Sequence, residues 1–226
     1  MLDYLNTLLF GLYPYLAGSV FLIGSLVRFD HGQYTWKTGS SQLLSKRRLR
    51  LGSNLFHIGV LVIFFGHLVG LLTPHWAYAW MITPGHKQIM AIVVGGIAGV
   101  MCLAGGLILL HRRLFDPRVR ASSSVADITI LSLLMVQVTL GLLTIAFAVH
   151  HLDGSVMLQL AEWAQSIVFF RGDAAAHLSE VGVIYKLHIF VGLTIILVFP
   201  FTRLVHVWSA PLWYVGRRYQ LVRRRA

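Results

Sequence analysis

Four histidines stand inside apolar stretches of this 226-residue chain. His57 and His67 lie in SNLFHIGVLVIFFGHLVGLL, and His188 and His206 lie in VIYKLHIFVGLTIILVFPFTRLVH. An ionisable side chain in the middle of a membrane span is costly, so it usually has a partner and a function. Imidazole is an axial ligand of haem iron, and two helices can each supply one ring. Two histidines on each of two helices would therefore hold two b-type haems. A lone histidine in a span more often just hydrogen-bonds a neighbouring helix. Four that pair are not explained that way. A proton relay is a third reading, because histidine chains occur in pumps. The Val, Leu, Ile and Phe between the two levels favour haem edges in a dry core.

Such ligands need rigid spans to carry them, and the composition supplies these. The chain is 57% hydrophobic and 12% charged, against about 25% charged for an average soluble domain, and its mean hydropathy is +0.73. An all-α integral membrane protein is expected, as a single domain over residues 1–226. A helix needs about 20 apolar residues to cross the hydrocarbon core. Five stretches qualify, roughly 4–27, 53–73, 89–111, 125–149 and 183–207. Residues 1–27 lack a basic leading region and run on as a long apolar segment, which reads as a retained span rather than a cleaved signal peptide.

The net charge of +11 sits in short loops, so it reports topology and not nucleic acid. The loop after span one carries Arg28, Lys37, Lys46, Arg47, Arg48 and Arg50. The loop after span three carries Arg112, Arg113, Arg118 and Arg120. Arg203 and a basic tail over 208–226 complete sixteen of the nineteen lysines and arginines on one side. Lys87, Arg171 and Lys186 fall on the other. By the positive-inside rule the N-terminus is outside and the C-terminus cytoplasmic. Trp76, Tyr78 and Trp80 suit the outer membrane–water interface. Residues 155–170 read as a short interfacial helix with Trp163 and Phe170 dipping inward.

This topology makes spans two and five antiparallel. His57 lies near the cytoplasmic end of its span and His67 roughly 15 Å further out; His188 lies near the outer end of span five and His206 five turns deeper, roughly 27 Å on, at the cytoplasmic end. Depth pairs His57 with His206 and His67 with His188. Eighteen residues are five whole turns, which puts His188 and His206 on one face, whereas His57 and His67 differ by roughly 80°. Helix tilt or different haem angles must absorb that mismatch. The expected core is therefore a dihaem four-helix bundle.

Other residue types exclude much. Cys102 is the one cysteine, so there is no disulfide within the chain and no cysteine set for an iron–sulfur cluster. His31, His75, His86, His111, His150, His151 and His177 fall at helix ends or in loops. Glycines concentrate in spans two and three, where they let helices or a flat macrocycle approach closely. Haem propionates need cationic neighbours, and Arg112, Arg113 and Arg203 are the candidates at the inner level; topology anchoring alone would also place them there.

Several long segments carry a resemblance. YPYLAGSVFLIGS, HGQYTWKTGSSQLL, SNLFHIG, GHLVGLLTPHW, RRLFDPRVRASSSVADI, KLHIFVG, FPFTRLVHVWSAP and YQLVR follow in order through nearly the whole chain. The chain resembles the cytochrome b (gamma) subunits of membrane-bound respiratory nitrate reductases. The resemblance implies bis-histidine haems on spans two and five, His57 with His206 and His67 with His188. It further implies quinol (ubiquinol or menaquinol) as the electron donor and a bacterial inner membrane as the location. A cytoplasmic iron–sulfur subunit and a molybdenum catalytic subunit would be the protein partners, with membrane lipid around the spans. A quinol site is then expected beside the outer haem, formed by Lys87, Gly66, Gly70 and His86. Related dihaem subunits of a formate dehydrogenase or hydrogenase, and a haem-free proton channel or transporter, remain the alternatives.

Overall fold

The computed structural model describes residues 2–36, 41, 43–44, 48–150, 152–210, 216 and 219. Most of the basic tail, and Lys37, Lys46, Arg47 and His151, lie outside the described residues. Regular structure among the described residues is helical throughout.

Among the described residues, five helices are long and apolar enough to cross a membrane. They are α1 (Asp3–Thr35), α2 (Leu49–Leu72), α3 (Pro84–Phe115) and α4 (Val125–Ala148), followed after the shorter α5 (Ser155–Val168) by the fifth span, Val183–Phe201. Within that last span the α-helical part is α6 (Val183–Val198). Local signals set the ends. Pro84 opens α3 behind Thr83, whose hydroxyl accepts from the His86 amide, and Pro is favoured at a first helical position because its missing N–H costs nothing there. Ser124 and Asp127 form a reciprocal capping box on α4, satisfying two otherwise orphan donors.

The fifth span does not run to residue 207. Pro200 has no N–H to donate, and the α-helix stops at Val198. A 3-10 turn, Phe199–Phe201, follows; Thr202 is extended (φ −117°, ψ 177°), and a second 3-10 segment, Arg203–Ser209, carries His206. The expectation that His188 and His206 share a face across five unbroken turns therefore fails.

α2 packs along α3, α3 along α4, α4 along α6 and α6 along α1. The two helices expected to bear ligands, α2 and α6, make no extended contact. Glycine sets the closest seam. A Cβ on Gly59 would lie 2.6 Å from the Ala98 carbonyl oxygen and 2.8 Å from the Cys102 Cβ. Gly66, Gly70 and Gly95, by contrast, face open space.

The end opposite the basic loops is capped by a buried cluster of Phe10, Trp163, Ala164, Leu178 and Val181. Phe10 sits in a π-turn of α1, and its carbonyl accepts from Trp163 Nε1 at 2.9 Å. Phe170 does not join it. α5 ends at Val168, the chain reverses through Phe170 in a left-handed conformation (φ 56°), and its ring stays 80% exposed, stacked on Tyr15. Tyr78 also departs from the expected surface belt: Trp76 and Trp80 are exposed, but Tyr78 is buried.

Candidate functional site

Three of the four span histidines are oriented in one way. His57 Nδ1 lies 2.7 Å from the Ser53 carbonyl, His67 Nδ1 2.8 Å from the Ile63 carbonyl, and His206 Nδ1 2.6 Å from the Arg203 carbonyl. A carbonyl can only accept, so each Nδ1 carries the proton and each Nε2 keeps its lone pair for a ligand. Tethering the second ring nitrogen in this way is how metal-binding imidazoles are fixed in tautomer and direction.

His67 and His188 face one another across the space between α2 and α6, with ring centroids 6.1 Å apart and planes 38° apart. A metal–imidazole bond is about 2 Å, and the ring centre lies roughly 1 Å behind the nitrogen. Two rings on opposite sides of one iron would thus stand about 6 Å apart, as these do. His188 differs from the others. Its Nε2 is 3.4 Å from the Gln137 amide, its buried Nδ1 has no hydrogen-bond partner among the described residues, and its ring lies against Gly141. Among the described residues, no ring contact joins His57 to His206.

Beside His67, the expected quinol residues separate into two groups. Lys87 is 8% exposed; its ammonium donates to the Gly70 carbonyl at 2.9 Å and lies 3.9 Å over the Tyr78 ring. Burial pushes the Tyr78 phenol above its ordinary pKa, so its O–H stays neutral. Gly66 and Gly70 leave their side of α2 open. His86 is exposed and engaged with the Thr83 hydroxyl at 2.9 Å, apart from the Lys87–Gly70 contact.

At the basic end the expected arginines also separate. Arg112 is buried. Arg113 and Arg203 converge on the Asp127 carboxylate at 3.8 and 3.5 Å, and Arg113 donates to Ser123 Oγ at 2.8 Å. One carboxylate between two guanidiniums leaves a net positive charge next to the His206 segment.

The family model for the nitrate reductase gamma subunit matches residues 6–225. The chain belongs to that family. It is 55% identical over 224 residues to the respiratory nitrate reductase 1 gamma chain of Escherichia coli K12, covering 99% of this chain and all of the relative. The E. coli respiratory nitrate reductase 2 gamma chain is 56% identical over the full length of both chains. The Bacillus subtilis nitrate reductase gamma chain is 38% identical over 97% of this chain and 98% of its own. With five apolar spans, these relatives make the chain a multi-pass protein of a bacterial inner membrane.

Sequence reasoning missed Asp127, Gln137, Gly141 and the partner of Lys87, Tyr78. Gln137 carried a signal, being an uncharged polar side chain inside the fourth apolar run, and Asp127 stood three residues after Ser124 in capping-box spacing. Gly141 is the single glycine of the fourth apolar run, but that alone does not point to a histidine on another span.

Proposed function

We propose that the chain is the membrane-anchor cytochrome b subunit of a respiratory nitrate reductase. In this reading it oxidises quinol near the outer face and passes the electrons inward to the complex's cytoplasmic iron–sulfur and molybdenum subunits. The facing rings of His67 and His188, with the buried Lys87–Gly70 contact beside them, carry this reading. His67 and His188 would hold the outer of two b haems, and His57 and His206 the inner. Haem held by these histidines would supply one-electron transfer, which suits an electron relay. The carbonyl tethers on Nδ1 of His57, His67 and His206 keep those three Nε2 atoms aimed and basic; His188 has no such tether among the described residues.

The open surface at Gly66 and Gly70 leaves room for a flat quinol headgroup. In this reading Lys87, bonded to the Gly70 carbonyl, donates with a further N–H to a quinol oxygen, and His86, its exposed neighbour in the chain, is the second polar group of the site. Arg112 and the Arg113–Arg203 pair supply positive charge for propionates at the inner level. With the basic end in the cytoplasm, electrons moving inward oppose a negative-inside potential at about 2.3 kcal/mol per charge per 100 mV, so the redox drop to the acceptor must exceed that. Protons left outside make the reaction electrogenic.

Pyridine haemochrome titration of the purified complex should give two b haems per chain. His57→Ala or His206→Ala should remove one, and His67→Ala or His188→Ala the other. A haem-free protein would revive the channel or transporter reading.

A further inference from the structure

His206 is not carried by the helix that carries His188. It follows a break at Pro200 and Thr202, and something other than helix continuity must hold it. In a bilayer every backbone polar group needs a partner. Two carbonyls at this break, those of Pro200 and Thr202, are taken by a single side chain from another span. Arg28 of α1 donates through Nη1 to Pro200 at 2.6 Å and to Thr202 at 2.8 Å. The rest of its guanidinium is fixed by Thr35, Nε on the hydroxyl at 3.1 Å and Nη2 on the carbonyl at 3.2 Å. All three nitrogens are committed to protein groups, which a solvated topology anchor does not require.

The same stripe of α1 continues the contact. A Cβ on Gly24 would meet the Pro200 ring at 3.0 Å, so the break packs directly on that helix. Phe21 packs on Phe199 at 4.9 Å and on Trp208 at 5.5 Å, one residue on each side of the break. Residues 21, 24 and 28 fall at helical spacing on one face. Asp127 of α4 pairs with Arg203, whose carbonyl accepts from His206 Nδ1. The imidazole is thus tied to a segment gripped by two other helices.

We propose that Arg28 is a positioning residue for His206, so that α1, which carries none of the four span histidines, sets the geometry of the inner haem site. This rests on the reading of His206 as a haem ligand. The planar guanidinium grips two carbonyls and Thr35 at once, which a lysine ammonium, a compact charge on a flexible stem, does less rigidly.

The test uses the whole complex in membranes, with Arg28→Gln, Arg28→Lys and His206→Ala compared by potentiometric titration and low-temperature EPR of both haems. Arg28→Gln should shift or abolish the inner-haem potential and low-spin EPR signal and leave the outer haem unchanged; Arg28→Lys should give a smaller shift of the same signals. Should His206→Ala keep both haems, the ligand assignment itself fails. Should His206→Ala lose one haem while Arg28→Gln leaves that haem's potential and EPR signal at wild-type values, the positioning role is overturned and the ligand assignment stands. Equal disturbance of both haems in Arg28→Gln would also overturn it, as general destabilisation. If Arg28→Gln does not insert, Arg28→Lys decides, because it keeps the topogenic charge: unchanged inner-haem signals in that variant overturn the proposal.

Discussion

The ammonium of Lys87 donates to the carbonyl of Gly70 at 2.9 Å, linking the start of α3 to the end of α2 one turn from His67. A buried cation satisfied by one carbonyl and one ring face keeps donors for a further acceptor. A hydrogen bond to a charged group contributes about 1.5–3 kcal/mol, which is roughly a 10- to 100-fold effect. Lys87→Ala should therefore slow haem reduction by quinol by about that factor, with both haems retained and reduction by dithionite unchanged. Stopped-flow absorption measures both rates. Wild-type quinol kinetics would remove Lys87 from the site.

The His188 ring lies on Gly141, where an added Cβ would come within 3.0 Å of Cε1. Gly141→Ala asks the ring to give by a few tenths of an ångström, and Gly141→Leu asks for far more. The larger change should displace His188 and lower the occupancy of the outer haem alone, read as loss of one component in a redox titration. Full occupancy of both haems in Gly141→Leu would show that the ring does not need this surface.

Residue spacing revealed the five spans because membrane helices are defined by length and apolarity, which are linear properties of the chain. It revealed the candidate ligands because a histidine in such a span is conspicuous. The rings of His67 and His188, which depth pairs, stand 6.1 Å apart between centroids. The phase argument for His206 failed because it assumed an α-helix through Pro200; the proline was a visible warning. Arg28 was legible only as a topology charge, since the Pro200 and Thr202 carbonyls that it reaches lie 172 and 174 residues away and are left to accept by the break in the fifth span. Phe170 was misread for the reverse reason: helical periodicity was extended two residues past the end of α5.

The glycines of α2 and α3 divide by surroundings, and substitutions should divide with them. Gly59 sits against the Ala98 carbonyl with no flexible side chain to yield. Gly59→Leu forces α2 and α3 apart at an overpacking cost of about 1–3 kcal/mol or more. Both haem bands should then be lost together, at a lower temperature, in thermal melts followed by absorption. Gly95 faces open space, and Gly95→Ala should melt as the wild type does. Equal melting of the two variants would mean that the Gly59 seam does not limit stability.

The basic tail should matter to assembly more than to haem binding. The chain has one cysteine and so cannot hold an iron–sulfur acceptor of its own, and electrons reaching the inner level must leave to another subunit. Residues 212–226 include Arg217, Arg218, Arg223, Arg224 and Arg225, a dense positive segment on the expected cytoplasmic side. Such charges also attract anionic lipid headgroups, at about 1 kcal/mol each near the surface, and deletion separates the two roles. Removing 212–226 should release nitrate reductase activity, assayed with a soluble donor dye, into the cytosolic fraction while the membranes keep both haems. A raised-salt wash of wild-type membranes should release part of the same activity, because exposed charge pairs are screened over about 8 Å at physiological ionic strength and over less at higher salt. Activity that stays with the membranes after the deletion would leave lipid contact as the tail's role.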